Sequence, residues 1–342
     1  MAELPALPDP CTVSVIVPAR AAAATVATAL RSACAQQPPV DEVLVGADPG
    51  DDATRGGVAA VADPRVRLVD VPGGRTPDAL QALVEAATGE VVVRLDAHAV
   101  LPEGYVARAV ATLRRTGAAN VGGRQVPTAD GGFAAAVAAA MTSPAGAGGA
   151  AYRTGDAEGP VDTVYLGVFR AAALAAVGGF DRRMTRNQDA ELNLRLTRAG
   201  YAVWFDPVLA VAYTPRDRVA ALAQHYRGYG RWRRVTARVH PGSLRPRQLA
   251  APALVAGLAG AGLLAAATRR PALLGVPAGA YAAGLLAAGA HARPGGVAAV
   301  GRTAVALGTM HLSWGLGFWQ GPPGEARRAG VGRPSATRGR RP

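Results

Sequence analysis

Two consecutive 20-residue stretches, Leu249–Thr268 and Pro271–Ala290, contain no charged residue. As helices rising about 1.5 Å per residue, each is long enough to cross the hydrocarbon core of a bilayer. The alternative, a helical hairpin buried in a globular core, needs a partner surface that the rest of the chain does not offer. A third apolar stretch, Thr303–Trp319, is shorter and carries His311, Trp314 and Trp319. Residues 241–320 are therefore read as a membrane region of two or three hydrophobic helices. Their many small residues suit close helix packing, as at Gly257-x-x-x-Ala261.

Charge divides the chain at nearly the same place. All 37 basic residues are Arg. Residues 1–217 hold 19 Arg against 23 acids, a net of −4, whereas residues 218–342 hold 18 Arg against Glu325 alone, a net of +17. Arg234, Arg238, Arg245 and Arg247, just before the first apolar stretch, predict that this side faces the cytoplasm. Three spans would then leave Arg327, Arg328, Arg333, Arg338, Arg340 and Arg341 outside. Either the third segment is interfacial or re-entrant, or the positive-inside rule is broken. The basic excess lies beside and after the apolar stretches and forms no recognisable binding module, so no nucleic-acid partner is expected.

Other classes fall away quickly. Two cysteines exclude a disulfide scaffold, and 50% apolar against 18% charged residues argues against disorder. The opening MAELPALPDP lacks a basic segment followed by an apolar core, which predicts a body retained in the cytosol.

That body reads as alternating strands and helices. Thr12–Pro18, Glu42–Ala47, Val66–Val71 and Val91–Leu95 are short, rich in β-branched residues and separated by helical patterns, including Thr76–Ala87. Such alternation predicts an α/β fold with a mostly parallel, Rossmann-like sheet, and a ligand at the carboxyl ends of its strands. Phe133–Met141 reads as a helix, Thr142–Gly149 as a flexible loop, Thr163–Arg170 as a strand and Ala171–Val177 as a helix. Asp189–Ala199 and an amphipathic, Arg-rich Val219–Val239 complete the body.

Three local patterns carry chemistry. Val91–Ala99, VVVRLDAHA, is a buried strand ending in Asp96-Ala97-His98. On extended backbone, positions i and i+2 face the same side, so Asp96 and His98 can converge on a Mn²⁺ or Mg²⁺ ion held chiefly by a diphosphate. Asp at a strand end is also a common turn former. Asn187-Gln188-Asp189-Ala190-Glu191 opens a helix and reads either as an N-cap with acids in the first turn or as a general base in a cleft. Gln224–Trp232, an aromatic and basic cluster, reads on its own as a membrane-surface helix.

The order of these motifs resembles family 2 glycosyltransferases of the GT-A fold. A strand leading to Pro18-Ala19-Arg20 is followed by EVLVGADPGDDATR, RLDAHA, GGFDRR, NQDAELNLRL and QHYRGYGRW, over about residues 12–240. DAHA, NVGG, RTGDAEGPVDTV and RNQDAEL further resemble the membrane-anchored enzymes of bacterial exopolysaccharide assembly, typified by succinoglycan biosynthesis. The resemblance implies that Asp96 and His98 bind the divalent ion and the donor's diphosphate, and that Asp189 is the general base. It places Gln224 and Arg227 against the diphosphate and acceptor. Pro18 and Arg20 fall in the first nucleotide loop, and Asp48 and Asp52 in the second. This chain departs from the family in having Ala47 where an Asp is usual, and Gln188 where Glu precedes the base.

The implied activity is inverting transfer of a sugar from a nucleotide-sugar donor, UDP-hexose by expectation, to a lipid-linked polyprenyl-diphosphate acceptor at the cytoplasmic face of the cell membrane. Ala47 and the Ala-rich first loop suggest the alternative of a non-catalytic nucleotide-sugar-binding or scaffold subunit. Expected organisation is a GT-A domain over 1–240 (core 12–215, interface helix about 218–240), a multi-pass membrane region over 241–320, and a basic disordered tail over 321–342.

Overall fold

The computed structural model describes residues 3–292, 295–322 and 324. Strands β1 (Val13–Pro18), β2 (Glu42–Ala47), β3 (Val66–Asp70) and β4 (Val91–Arg94) alternate with helices α1 (Val26–Cys34), α2 (Asp52–Ala59) and α3 (Thr76–Ala86). After α4 (Tyr105–Thr116) and β5 (Asn120–Pro127) the chain makes a helical excursion, α5 (Gly132–Thr142), α6 (Pro144–Ala147) and α7 (Ala151–Thr154). It then re-enters the sheet with β6 (Gly159–Pro160), β7 (Tyr165–Arg170), α8 (Ala171–Val177), α9 (Gln188–Arg198) and β8 (Val203–Tyr213). The expected flexible loop 142–149 thus contains the short helix α6.

These strands form one sheet in the order β3-β2-β1-β4-β7-β5-β8-β6. Pairing is parallel from β3 through β4 and again between β5 and β8. β7 runs antiparallel to both β4 and β5, and β6 antiparallel to β8. The sheet is therefore mostly parallel but mixed. β1, β2 and β4 are buried on both faces, as their unbroken β-branched runs require.

β5 and β8 were not legible as strands. Their register shifts between Gly122 and Arg124, so that Gly122 faces Phe205 while Arg124 faces Ala210. The intervening Asp206-Pro207 interrupts the hydrophobic pattern. Asp206 is fully buried and accepts hydrogen bonds from Arg108 Nε at 2.7 Å and Thr112 Oγ1 at 2.9 Å.

One polar knot ties the parallel half together. Glu42 Oε1 accepts from Ser14 Oγ at 2.7 Å and from the Thr88 amide and hydroxyl at 2.8 Å each, and Arg67 pairs with Oε2. Burial alone would raise the Glu42 pKa, but the bonds from Ser14, Thr88 and Arg67 outweigh it and hold it down to about 2.

The C-terminal part begins with α10 (Val219–Val239), followed by α11 (Ala250–Thr268), α12 (Ala272–Ala292) and α13 (Val297–Gln320). α11 and α12 are long and apolar enough to cross a membrane. Little of either is buried, and Leu263, Val276 and Leu286 are exposed.

α13 behaves differently. It packs on α5 and α10 through Ala306, Leu307 and Met310 against Val137, Ala140, Met141, Leu222 and Tyr226. Farther along, Gly230 lies against the backbone of Trp314 and Phe318, and Gly317 against the Arg227 carbonyl. Contacts therefore advance together along both helices, which run parallel. A Cβ on either glycine would collide with the facing backbone, so the close approach demands glycine. Gly257, by contrast, faces open space, and close backbone approach among the apolar helices occurs instead at Gly315 against the Ala251 carbonyl and at Gly289 against the Val300 carbonyl. α10 is likewise no simple membrane-surface helix. Beyond its α13 contact, Trp232 and Val235 pack on Met184. The Arg residues expected beyond Glu325 lie outside the described residues.

Two outcomes test this architecture. Because the folded pKa of Glu42 is lowered, its stabilisation is present above pH 4.5 and is lost as pH falls toward 2. Glu42→Gln should cost about 3 kcal/mol near neutrality and far less at the acid end of that window, as read from denaturant midpoints at several pH values. Gly230→Leu should destabilise the full-length protein by about 1–3 kcal/mol through overpacking, seen as a lowered Tm in detergent.

Candidate active site

The Arg94 guanidinium, 8% exposed, lies where β4 leaves the sheet. Nη2 pairs with Asp96 Oδ1 at 2.9 Å, Nε reaches the same oxygen at 3.2 Å, and Nη1 pairs with Asp189 Oδ1. The two carboxylates singled out in the sequence, 93 positions apart, thus share one buried cation. Burial works against the charge on Arg94, but Asp189 and Asp96 overcome it and raise the guanidinium's pKa. At Asp189, burial raises the pKa, Arg94 opposes this, Asp96 adds to it, and the net shift is upward. Asp189 keeps 30% of its side chain accessible, so it can still meet a substrate.

Local backbone aims these groups. β4 ends at Arg94, and the Asp96 carbonyl accepts from the Ala99 amide at 2.9 Å. Asp96-Ala97-His98 is therefore a turn, not the extended strand end assumed from the sequence. The alternation that would place Asp96 and His98 on one face does not apply, and His98 is exposed. Asn187 stands at the N-cap position of α9 with φ +62° and makes no side-chain cap bond. The cap hydrogen bond of that reading is missing, but Asp189 and Glu191 do lie in the first turn of α9 as it requires. Asn tolerates the left-handed conformation, and the turn it makes brings Asp189 toward Arg94.

The loops after β1 and β2 meet at the same end of the sheet. Ala21 N donates to Asp51 Oδ2 at 2.9 Å and Ala22 N to Thr54 Oγ1 at 2.9 Å. Pro18 ends β1, and Arg20 is exposed beside Gly74 and Asp48. Asp48 Oδ1 accepts from the Gly50 amide at 2.8 Å. Asp52 is exposed in the first turn of α2, while its neighbour Asp51 is the cap, accepting from Thr54 N. Pro18, Arg20, Asp48 and Asp52 thus share the carboxyl end of the sheet with Asp96.

Gln224 and Arg227 do not join them. Both are exposed on α10, and Arg227 Nε donates to Gln320 Oε1 at 2.7 Å. Arg231 reaches the same oxygen at 2.7 Å. These two arginines bind the end of α13, not the Asp96–Asp189 cluster.

Comparison with known proteins agrees with this geometry. Residues 14–178 match the family described as Glycosyl transferase family 2. The succinoglycan biosynthesis protein ExoA of Rhizobium meliloti (strain 1021) is 34% identical over 288 residues, covering 82% of this chain and 86% of that protein. The chain belongs to glycosyltransferase family 2. The GT-A fold is shared with the mannosyltransferase PcManGT of Pyrobaculum calidifontis, solved in complex with GDP-Man and Mn²⁺. That structure has a TM-score of 0.56 and 20% identity, over 88% of this chain and 87% of that one.

Asp96 and His98 are the donors this glycosyltransferase has for a divalent ion, and each keeps a ligating atom that no described residue hydrogen-bonds. Asp96 Oδ1 is occupied by Arg94, whereas Oδ2 and the His98 ring make no hydrogen bond among the described residues. No group of three or more His, Cys, Asp or Glu is placed there to hold a metal among the described residues. Two protein ligands would leave most of the coordination shell to donor phosphate oxygens and water, the usual arrangement for Mg²⁺ at phosphate sites.

Arg94 was not singled out from the sequence. Its signal was a lone charge inside VVVRL, since a fully buried Arg needs carboxylate partners. Arg94→Met should leave two carboxylates facing each other, costing about 3–5 kcal/mol of stability. Arg94→Lys, which keeps the charge but loses the fork, should lower kcat by about 100-fold through misplacement of Asp189. Unfolding curves and steady-state kinetics on the two variants check this.

Proposed function

We propose that this glycosyltransferase is an inverting enzyme that moves a hexose from a UDP-sugar to a lipid-linked polyprenyl-diphosphate acceptor, in exopolysaccharide or cell-envelope glycan synthesis. The observation that carries the reading is the Arg94 bridge, which sets the candidate base Asp189 one guanidinium away from Asp96, the residue matched to the donor's diphosphate.

Asp189 takes the proton from the acceptor hydroxyl as its oxygen attacks the anomeric carbon. The bond from that carbon to the diphosphate oxygen breaks on the opposite face, and the nucleoside diphosphate leaves. A single in-line displacement inverts the anomeric centre. The raised pKa of Asp189 suits a base, because a more basic carboxylate has a larger driving force for taking the proton. Asp96 and His98 would hold Mn²⁺ or Mg²⁺, which supplies positive charge for the departing diphosphate. Pro18, Arg20, Asp48 and Asp52, at the carboxyl ends of β1 and β2, would contact the nucleotide.

The acceptor class follows from anchoring. α11 and α12 would insert in the cell membrane, with the catalytic domain on the cytoplasmic side. α13 is held along α10, and Arg234 donates to the Phe318 and Trp319 carbonyls at 3.0 and 2.8 Å. Its C-terminal end therefore stays with the catalytic domain. Two spans rather than three satisfy the positive-inside tendency of the C-terminal arginines.

Purified membranes given a panel of nucleotide sugars, an undecaprenyl-diphosphate-sugar acceptor and Mn²⁺ or Mg²⁺ should show transfer that EDTA abolishes. Asp189→Asn should lower kcat by about 10²–10⁴-fold with the fold intact. Undiminished transfer by Asp189→Asn would remove the base assignment, and full activity in EDTA would remove the metal role of Asp96 and His98.

A further inference from the structure

The arginines around α10 differ in their partners. Arg227 and Arg231 are committed to Gln320, Arg233 to the Ser243 carbonyl, Arg234 to Phe318 and Trp319, and Arg245 and Arg247 to Asp162. These tie the helices and their connections together. Arg153, Arg186 and Arg216 have no acidic partner among the described residues and lie close enough to His225 for their charges to act on it, whereas Arg218 and Arg238, equally without an acidic partner, do not line the cleft at that ring.

Arg153 and Arg216 line one cleft, and Arg186 stands beside it against Gly228. A narrow cleft between β8, α5, α7 and α10 is lined by Arg153, Arg216, Tyr213, His225, Tyr226 and Tyr229, among others, and no carboxylate lines it. Arg153 donates to the Tyr226 hydroxyl at 3.1 Å and stacks over Tyr152, its Cζ 5.6 Å from the ring centre. Arg186 lies across α10 at Gly228, where a Cβ would sit 3.1 Å from its Nε. Burial, with the charge of Arg186, Arg216 and Arg153, pushes the His225 imidazole down to about 3. The positive charge at the cleft therefore comes from Arg153 and Arg216 in its lining and from Arg186 beside it. Partly desolvated like charges without a counter-ion are costly, and planar guanidiniums match phosphate oxygens in pairs. The enclosed space is about 10 Å³, enough for one water, so a phosphate group would rest at the mouth.

Two features say whose phosphate. Arg186 directly precedes the Asn187-Gln188-Asp189 turn. On the cleft's wall, Gln125 belongs to β5, the strand paired with β7, whose Tyr165 phenol feels the charge of Asp96. The cleft is thus joined to the catalytic cluster. On its other side it shares Val137, Met141, Leu222 and Tyr226 with the core that docks α13, next to the apolar helices. We infer that Arg153, Arg186 and Arg216 form a binding site for the diphosphate of the membrane-borne acceptor, holding it so that its sugar hydroxyl reaches Asp189. This rests on the acceptor class proposed above.

The test titrates inorganic pyrophosphate into the full-length protein in detergent micelles by calorimetry. Saturable binding is expected, weakened at least tenfold by Arg216→Gln and abolished by Arg153→Gln/Arg186→Gln/Arg216→Gln. Arg216 is exposed, so the single variant reports on the site even where the triple variant folds poorly. UDP affinity should not change in Arg216→Gln; its loss would assign the cleft to the donor and overturn the inference. Phosphatidylglycerol vesicles with and without undecaprenyl diphosphate separate the remaining sources. Binding that depends on Arg216 only when the diphosphate lipid is present is expected, and equal dependence on plain vesicles would reassign the site to headgroups. In transfer assays, Arg216→Gln should raise the acceptor KM at least tenfold with donor KM unchanged. An unchanged acceptor KM would sink the inference while leaving the transferase reading standing. Arg216-dependent pyrophosphate binding in a protein that turns over no donor would do the reverse.

Discussion

A guanidinium removed from water must be matched by negative charge, and Arg94 is matched by two carboxylates drawn from distant parts of the chain. Leaving either one out would strand charge in a low-dielectric site at a cost of several kcal/mol. This requirement fixes where α9 sits against β4. It therefore fixes the distance between the group matched to the donor's diphosphate and the group matched to the base. Asp189 remains partly accessible while its cation is buried. Glu191, two residues on, is anchored in turn by Arg195 Nε at 2.8 Å and by His240 Nε2 at 2.8 Å, which fastens α9 to the end of α10.

The same α10 connects the catalytic layer to the apolar helices. Glycines at 230 and 317 let its backbone approach that of α13, and arginine-to-carbonyl bonds hold the far end. A hinge between catalytic and membrane parts is not what this packing describes. Some of the positive charge that looks diffuse along the chain is taken up by structural ties, while Arg153, Arg186 and Arg216 gather around His225 with no acidic partner among the described residues.

Much of this was readable in advance, for identifiable reasons. β1, β2 and β4 were legible because strands buried on both faces must be apolar throughout, and α10 because its amphipathic period is unbroken. β5 and β8 were not, because Gly122-Gly123 and Asp206-Pro207 belong to a register shift that only cross-strand pairing defines. Asp96 and Asp189 stood out as acids at element ends. Arg94 did not, since its role depends on a partner 95 residues away. The turn at Asp96–Ala99 and the uncapped left-handed Asn187 also escaped, as each is a choice between backbone conformations that the same residues can adopt.

By itself, the amino-acid order determined the class of the sheet, the two helices long enough for a bilayer, the charge asymmetry and the family to which the motifs belong. All of these follow from local composition and period. Tertiary structure alone decided which arginine meets which carboxylate, that α13 lies along α10 rather than standing as a third equivalent helix, and which cations are left without partners. Those outcomes depend on close backbone approach and on the matching of buried charge across long sequence separations, and neither leaves a periodic trace in the chain.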